Sequence, residues 1–137
     1  MAMPEYTPAP APSKAEFDSL ANDVSTLNGK IATSSVDISS TISNPNGDFN
    51  GCVKSGNCVM LSIGAGTNLI SGGAVATVPT GYRPSTFRYI RFGGMASQNG
   101  SSWEPIAVGV NTNGEVCPYM LTSNPYSVVR IGMIYVI

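Results

Sequence analysis

Two hydrophobic periods share this chain, and the point where one gives way to the other fixes its organisation. Phe17, Leu20, Val24, Leu27 and Ile31 recur at spacings of 3, 4, 3 and 4, which places all five on one seam of an α-helix. Asp18, Asn22, Asp23, Ser25 and Lys30 fall outside that seam. From Thr33 onward the period is two. Val59, Leu61 and Ile63 share one strand face, Ile106, Val108 and Val110 a second, and Val129, Ile131, Met133, Tyr135 and Ile137 a third. With 137 residues, the chain has room for one ordinary domain and a short appendage, not for two full domains.

The helix has a defined start. Ser13-Lys14-Ala15-Glu16 is a capping box, in which the serine hydroxyl accepts from the Glu16 amide and the glutamate reaches back to the cap. A run of about 18 residues extends ~27 Å and is marginal alone, so partners must supply stability. The strict repeat and single apolar seam favour self-association over packing of the same stripe on the β domain. β-Branched Val24 and Ile31 at one seam position with Leu20 and Leu27 at the other lean towards two strands, whereas Ala21 widens the face and eases a third; the seam alone leaves both open.

Beyond the helix, charged residues make up only 11% of the chain and Gly, Ser, Thr and Asn are abundant, which describes many short strands joined by turns. Asn46-Gly47, Ser55-Gly56, Gly72-Gly73, Gly93-Gly94 and Asn113-Gly114 are read as turn punctuation, and Asn113-Gly114 as a hairpin. Strands are expected at 35–39, 51–53, 57–63, 75–78, 87–92, 106–111, 115–120 and 128–137. Pro118 lacks an amide proton, so its strand is expected at an edge. The last strand is apolar on both faces through Ile134 and Val136, which suits a central strand or one whose outer face meets a neighbouring subunit. The expected fold is mainly β: an antiparallel β-sandwich or small barrel over 33–137, a short coiled-coil helix over 13–32, and an extended Pro-rich arm over 1–12.

That arm holds Pro4, Pro8, Pro10 and Pro12, which bar both a helix and a sheet interior. It is either a plain tail or an anchor that orders on docking into a larger assembly, with Tyr6 its one large side chain. Its start shows neither the charged n-region nor the apolar h-region of a secretory signal, and no apolar run reaches the ~18–20 residues needed to span a bilayer. Cys52 and Cys58 flank a tight turn where a disulfide is geometrically open, but without a secretory signal all three cysteines are expected as free thiols.

Net charge is −1, and residues 49–137 carry Lys54, Arg83, Arg88, Arg91 and Arg130 against Glu104 and Glu115. This mildly basic part suits an anionic surface polymer or, more simply, a set of solvated arginines; it gives no basis for a nucleic-acid surface. No histidine occurs, which removes Ser-His-Asp and Cys-His catalysis and the commonest zinc ligand. The cysteines form no C-x-x-C pair, and nothing in the sequence places Glu104 beside Glu115 as glycoside hydrolysis would need. No enzyme, metal or cofactor is therefore expected. Binding is left: Gln98, Asn99 and Trp103, with Asn124 and Tyr126, provide the amides and aromatics of a carbohydrate-facing loop pair, although Trp103 suits a core anchor equally and Asn99 a plain turn.

Three stretches, Gly56-Asn57-Cys58-Val59-Met60-Leu61, Ala76-Thr77-Val78-Pro79-Thr80-Gly81-Tyr82-Arg83-Pro84-Ser85 and Val110-Asn111-Thr112-Asn113-Gly114-Glu115-Val116, resemble in this order the C-terminal tip domains of phage tail-fibre and receptor-binding proteins. The likeness covers about residues 50–137. It implies a homotrimer with a helical stalk and a β tip, located on the virion surface after assembly in the host cytoplasm, and it selects three chains over two. It also implies capsid or tail and baseplate proteins as partners of the arm, and a host-surface polysaccharide as ligand of the tip. The absence of a longer shaft departs from that pattern and keeps a head fibre or capsid decoration protein without specific ligand as the alternative. Apart from any family, Gly81, Tyr82, Arg83 and Pro84 read as a rigid corner, with Tyr82 packing at the domain end and Arg83 donating to carbonyls.

Overall fold

The computed structural model describes residues 2–5, 7–42, 44–47 and 50–137, with the side chains of Lys30 and Ile31 outside that description. Residues 2–5 and 7–12 are exposed and belong to no helix or strand, and Tyr6 lies outside the described residues. The chain divides into two compact units, Met1–Ala32 and Thr33–Ile137.

The first unit is one helix, α1 (Lys14–Ile31). Its start is the capping box: the Ser13 amide donates to Glu16 Oε2 at 2.6 Å and the Glu16 amide to Ser13 Oγ at 3.2 Å. These bonds satisfy two amides that the first turn otherwise leaves open. Lys14 and Asp18 add an exposed pair one turn apart. Phe17, Leu20, Val24 and Leu27 are all exposed, Leu20 at 60%.

The second unit is a single antiparallel sheet of eight strands, curled into a half-barrel. Its strands are β1 (Thr33–Asp37), β2 (Gly51–Ser55), β3 (Cys58–Leu69), β4 (Ala76–Thr77), β5 (Arg88–Ser97), β6 (Glu104–Val110), β7 (Glu115–Tyr119) and β8 (Tyr126–Val136). In space they run β1-β2-β3-β8-β5-β6-β7-β4. All eight expected strands form, and of the expected sandwich or small barrel they build one curled sheet and not two stacked ones. The reason is the last strand: β8 inserts between β3 and β5, joins the N-terminal and C-terminal strands edge to edge, and leaves one sheet to bury its own inner face.

That inner face follows the period of two. Val59, Leu61 and Ile63 of β3, Val129, Ile131, Met133 and Tyr135 of β8, and Ile106, Val108 and Val110 of β6 all point into one core cluster. Ile38, Ile42, Val75 and Val78 join it from the connections. Removing a side chain such as Leu61 from water contributes about 1.5–3 kcal/mol, so this face specifies the strand register. The buried polar groups are satisfied among the described residues. Asn50, for example, accepts from the Gly64 amide at 2.6 Å through its side chain and from the Ile38 amide at 2.9 Å through its carbonyl.

Two sequence signals take another role in three dimensions. Gly93-Gly94 is not a turn but lies inside β5, where the partners move from Ile90↔Val108 to Gly94↔Ile106 and two extra residues are accommodated. A Cβ on Gly94 would stand 2.4 Å from the Arg130 carbonyl oxygen, so glycine is required there by close approach of β8. Pro118 is not in an edge strand: β7 lies between β6 and β4. β4 is two residues long and pairs only with Val116 and Glu115, so the ladder on that side has already ended, and the Pro118 carbonyl accepts from the Gly72 amide at 2.7 Å.

The cysteines are free, and geometry keeps Cys52 from Cys58. Cys52 sits opposite Leu61 on the inner face, whereas Cys58 is exposed on the outer one. Burial pushes the Cys52 thiol up to about 11 from an ordinary value of 9.0, and Tyr135 is raised too, by burial first and by Cys52 second. The folded state holds these protons more tightly than the unfolded chain, so stability is complete below about pH 9 and falls as pH rises towards about 11. The loss from Cys52 is expected to be on the order of 2 kcal/mol. Guanidinium titrations of wild type and Cys52→Val at pH values on either side of that window test this, with the variant losing about that much less.

Candidate functional site

The loop between β5 and β6 and the loop between β7 and β8 meet at one end of the sheet, because Ser97, the last residue of β5, pairs with Val128 near the start of β8. Ser97 is fully buried and anchors the first loop. Its hydroxyl accepts from the Gly100 amide at 2.9 Å, its carbonyl accepts from the Ser127 hydroxyl at 3.1 Å, and Gly100 takes φ +79°, which glycine adopts without penalty. Asn99 is held by its own loop: Oδ1 accepts from the amides of Ser101 and Ser102 at 2.8 and 2.9 Å. It shapes the turn, with its carboxamide oxygen already engaged.

Gln98 reaches across and donates from Nε2 to Thr122 Oγ1 at 2.8 Å, tying the two loops together. Beneath them Tyr126 corrects a sequence expectation. It opens β8 with only 1% of its surface exposed, and its hydroxyl donates to the Glu104 carboxylate. The aromatic ring is therefore a buried support for the loops, not a contact on their surface. A cleft of about 120 Å³ remains between Gln98, Asn99, Ser102 and Glu104. Beside it in sequence Trp103 is 42% exposed, so it does not act as a core anchor. Asn124 and Leu121 are exposed on the second loop.

Chemically this cleft offers a carboxylate, two carboxamides and a hydroxyl, a set that accepts and donates hydrogen bonds to a polyol. It holds one carboxylate. Glu115 stands at the far end of β6, bonded by Asn111 Nδ2 at 2.6 Å, and six residues of strand separate the ends by roughly 20 Å. Within one chain these two acids do not make the close pair that glycoside hydrolysis uses. No group of three or more His, Cys, Asp or Glu side chains among the described residues could hold a metal ion.

No protein-family model matches this sequence, and no curated protein matches it either. No helix among the described residues is long and apolar enough to cross a membrane.

The corner around Tyr82 lies elsewhere in the same unit. Thr80–Tyr82 form a single 3₁₀ turn; Tyr82 donates from its hydroxyl to Ser34 Oγ at 3.0 Å, and its carbonyl accepts from the Tyr135 hydroxyl at 2.7 Å. Lys54 donates to the Gly81 carbonyl at 3.0 Å and lies over the Tyr82 ring at 5.5 Å from its centroid. Pro84 is buried and Arg83 donates from Nε to the Val78 carbonyl at 3.0 Å. Gly81 is not demanded sterically, since nothing lies within 4 Å of the place a Cβ would take. Arg88 and Arg130 likewise donate to main-chain carbonyls, of Val136 and Asn46, so most arginine charge in this unit is engaged within the fold.

Sequence reasoning missed Glu104 as part of the cleft between these loops and Thr122 as their tie. It also missed the ring cluster on the outer face, where the tilted rings of Phe87, Tyr89 and Tyr119 follow one another at centroid distances of 6.3 and 5.6 Å. Its signal was available: Gly109 leaves the space, because a Cβ there would stand 2.6 Å from Phe87.

Proposed function

We propose that this chain is a structural fibre protein of a phage-type particle, homotrimeric through α1, whose 33–137 unit attaches to a host-surface polysaccharide without cleaving it. The observation that carries this reading is the placement of the polar loops. Thr33, where the chain enters the sheet, shares a cross-strand row with Ser55, Cys58 and Val136, at one end of β8. The cleft of Gln98, Asn99, Ser102 and Glu104 lies at the other end, near Val128, about 27 Å away along the strand. That separation supports the reading of the loop end as the binding end, opposite the end where the chain enters the sheet.

The seam of Phe17, Leu20, Val24, Leu27 and Ile31 supplies association, and the exposed side chains of Phe17, Leu20, Val24 and Leu27 support the reading. The arm with Pro4, Tyr6, Pro8 and Pro10 docks into a capsid, tail or baseplate protein as an extended segment. Three copies of a shallow site raise apparent affinity by multivalency, so single contacts can be weak.

Trp103 is the sole tryptophan, which makes intrinsic fluorescence a direct report on this loop. Titration of the full chain with purified bacterial lipopolysaccharide, teichoic acid and capsular polysaccharide is expected to shift that emission for at least one of them. Trp103→Ala, read by surface retention and checked for unchanged circular dichroism, is expected to weaken binding about tenfold or more, as loss of an aromatic anchor does. Equal retention of the folded variant would reject these loops as the site. No binding by wild type to any envelope polymer would favour a decoration protein instead.

A further inference from the structure

The outer face of β3 and β8 carries an apolar patch that the binding reading does not use. Register sets Val53 opposite Met60 and Met60 opposite Ile134, and in the next row Cys58 opposite Val136. Met60, Ile134 and Val136 are exposed at 50%, 62% and 47%. The patch borders a cleft of about 730 Å³ whose lining, Met60, Ser62, Ile90, Gly132 and Ile134 among it, contains no charged residue. Its position follows from the topology. The ladder between β5 and β8 ends at Gly94↔Ile131, so beyond Ile131 only β3 pairs with β8.

We infer that Met60, Ile134 and Val136 form the contact between tip units of the homotrimer, each face meeting the same face of the other two copies of this chain around one axis. The inference rests on the trimer reading above and adds the surface through which the β units join. Three observations select a second copy as the occupant. The patch lies at the end of the sheet that contains Thr33, in the rows joined to it through Ser55 and Cys58, and three strand spacings put it roughly 14 Å from β1. Thr33 follows the last residue of α1 by two positions, so a parallel bundle with axes about 8–10 Å apart holds the entry points of all copies close together. Such tethering gives the patches an effective concentration in the millimolar range towards one another, which a free partner does not match. Finally, α1 has 18 residues, fewer than the three or more heptads (about 21 residues) expected of a stable coiled coil, so a lasting trimer needs contact outside the seam.

Exposed Cys58 is a built-in reporter of this face. The experiment compares modification of Cys58 by a maleimide, read by peptide mass spectrometry, in the full-length wild type, in Leu20→Glu/Leu27→Glu and in Met60→Lys/Ile134→Lys, with sedimentation velocity on each. The expected result is a trimeric wild type in which Cys58 reacts at least tenfold more slowly than in the dissociated seam variant, with the Met60/Ile134 variant also reacting fast. A trimer whose Cys58 reacts as fast as that of the seam variant would overturn the contact and leave the trimer standing. So would slow reaction unchanged by the lysines, which would place the covering contact elsewhere. A monomeric wild type would overturn the trimer reading itself. If the lysine variant does not fold, the comparison of wild type with the seam variant decides alone.

Discussion

Replacing Leu20 and Leu27 together with glutamate is expected to convert the proposed trimer into monomers while leaving the β unit folded. Both side chains are exposed in the single chain, at 60% and 58%, so the substitutions remove nothing that the isolated helix packs. In an assembled bundle the same positions are buried, and each chain would bring two unpaired carboxylates into an apolar seam. The cost is a few kcal/mol for each charge, and ~4 kcal/mol already weakens association about a thousandfold. Sedimentation equilibrium at micromolar concentration reads the assembly, and the far-ultraviolet dichroism of the strands reads the fold. Retention of a trimer would remove the seam from the mechanism. Loss of the β signal together with assembly would show that the sheet depends on the helix.

Gly64→Ala is expected to lower the stability of the β unit by about 3 kcal/mol or more, a large share of the ~5–15 kcal/mol that holds a domain together. A Cβ at this position would stand 1.4 Å from the Asn46 carbonyl oxygen. The segment around Asn46 lies along β3 there: the Asn46 amide donates to the Gly64 carbonyl at 2.7 Å, and the Gly66 amide to that of Asn44 at 3.0 Å. Arg130 fastens it from the other side, donating from Nη1 to the Asn46 carbonyl at 2.9 Å and from Nη2 to Asn46 Oδ1 at 3.2 Å. Backbone must therefore move, and those bonds must break or lengthen. Gly81→Ala is the control, with open space at its Cβ and an expected change within about 0.5 kcal/mol. Urea midpoints of the two variants check the contrast; similar midpoints would mean that the Asn46 segment yields at little cost.

Local chemistry was legible in the sequence. The capping box at Ser13 and Glu16 forms because its partners are three residues apart and need no tertiary context. The hairpin at Asn113-Gly114 forms for a similar reason. Asn111 Oδ1 accepts from the amides of Asn113 and Glu115, each at 3.0 Å, and Gly114 takes φ +87°. The stripes on β3, β6 and β8 were readable because alternation reports which face is buried.

What the sequence could not state was which strand lies beside which. A period of two says that Ile131 points inward but not that β8 runs between β3 and β5, and that one insertion replaces two stacked sheets by a single curled one. Gly93-Gly94 shows the same limit, since a glycine pair reads as a turn until the Arg130 carbonyl of a strand far along the chain comes within 2.4 Å of the missing Cβ. Tyr126 had the sequence context of an exposed loop residue, and only the tertiary packing places its ring in the core with its hydroxyl on Glu104. Caps, turns and periodicity are decided within a few residues and so belong to the sequence alone. Sheet order, close approach and the pairing of polar groups across the fold are decided by which long-range contacts bury the most apolar surface, and those exist only once the chain has closed on itself.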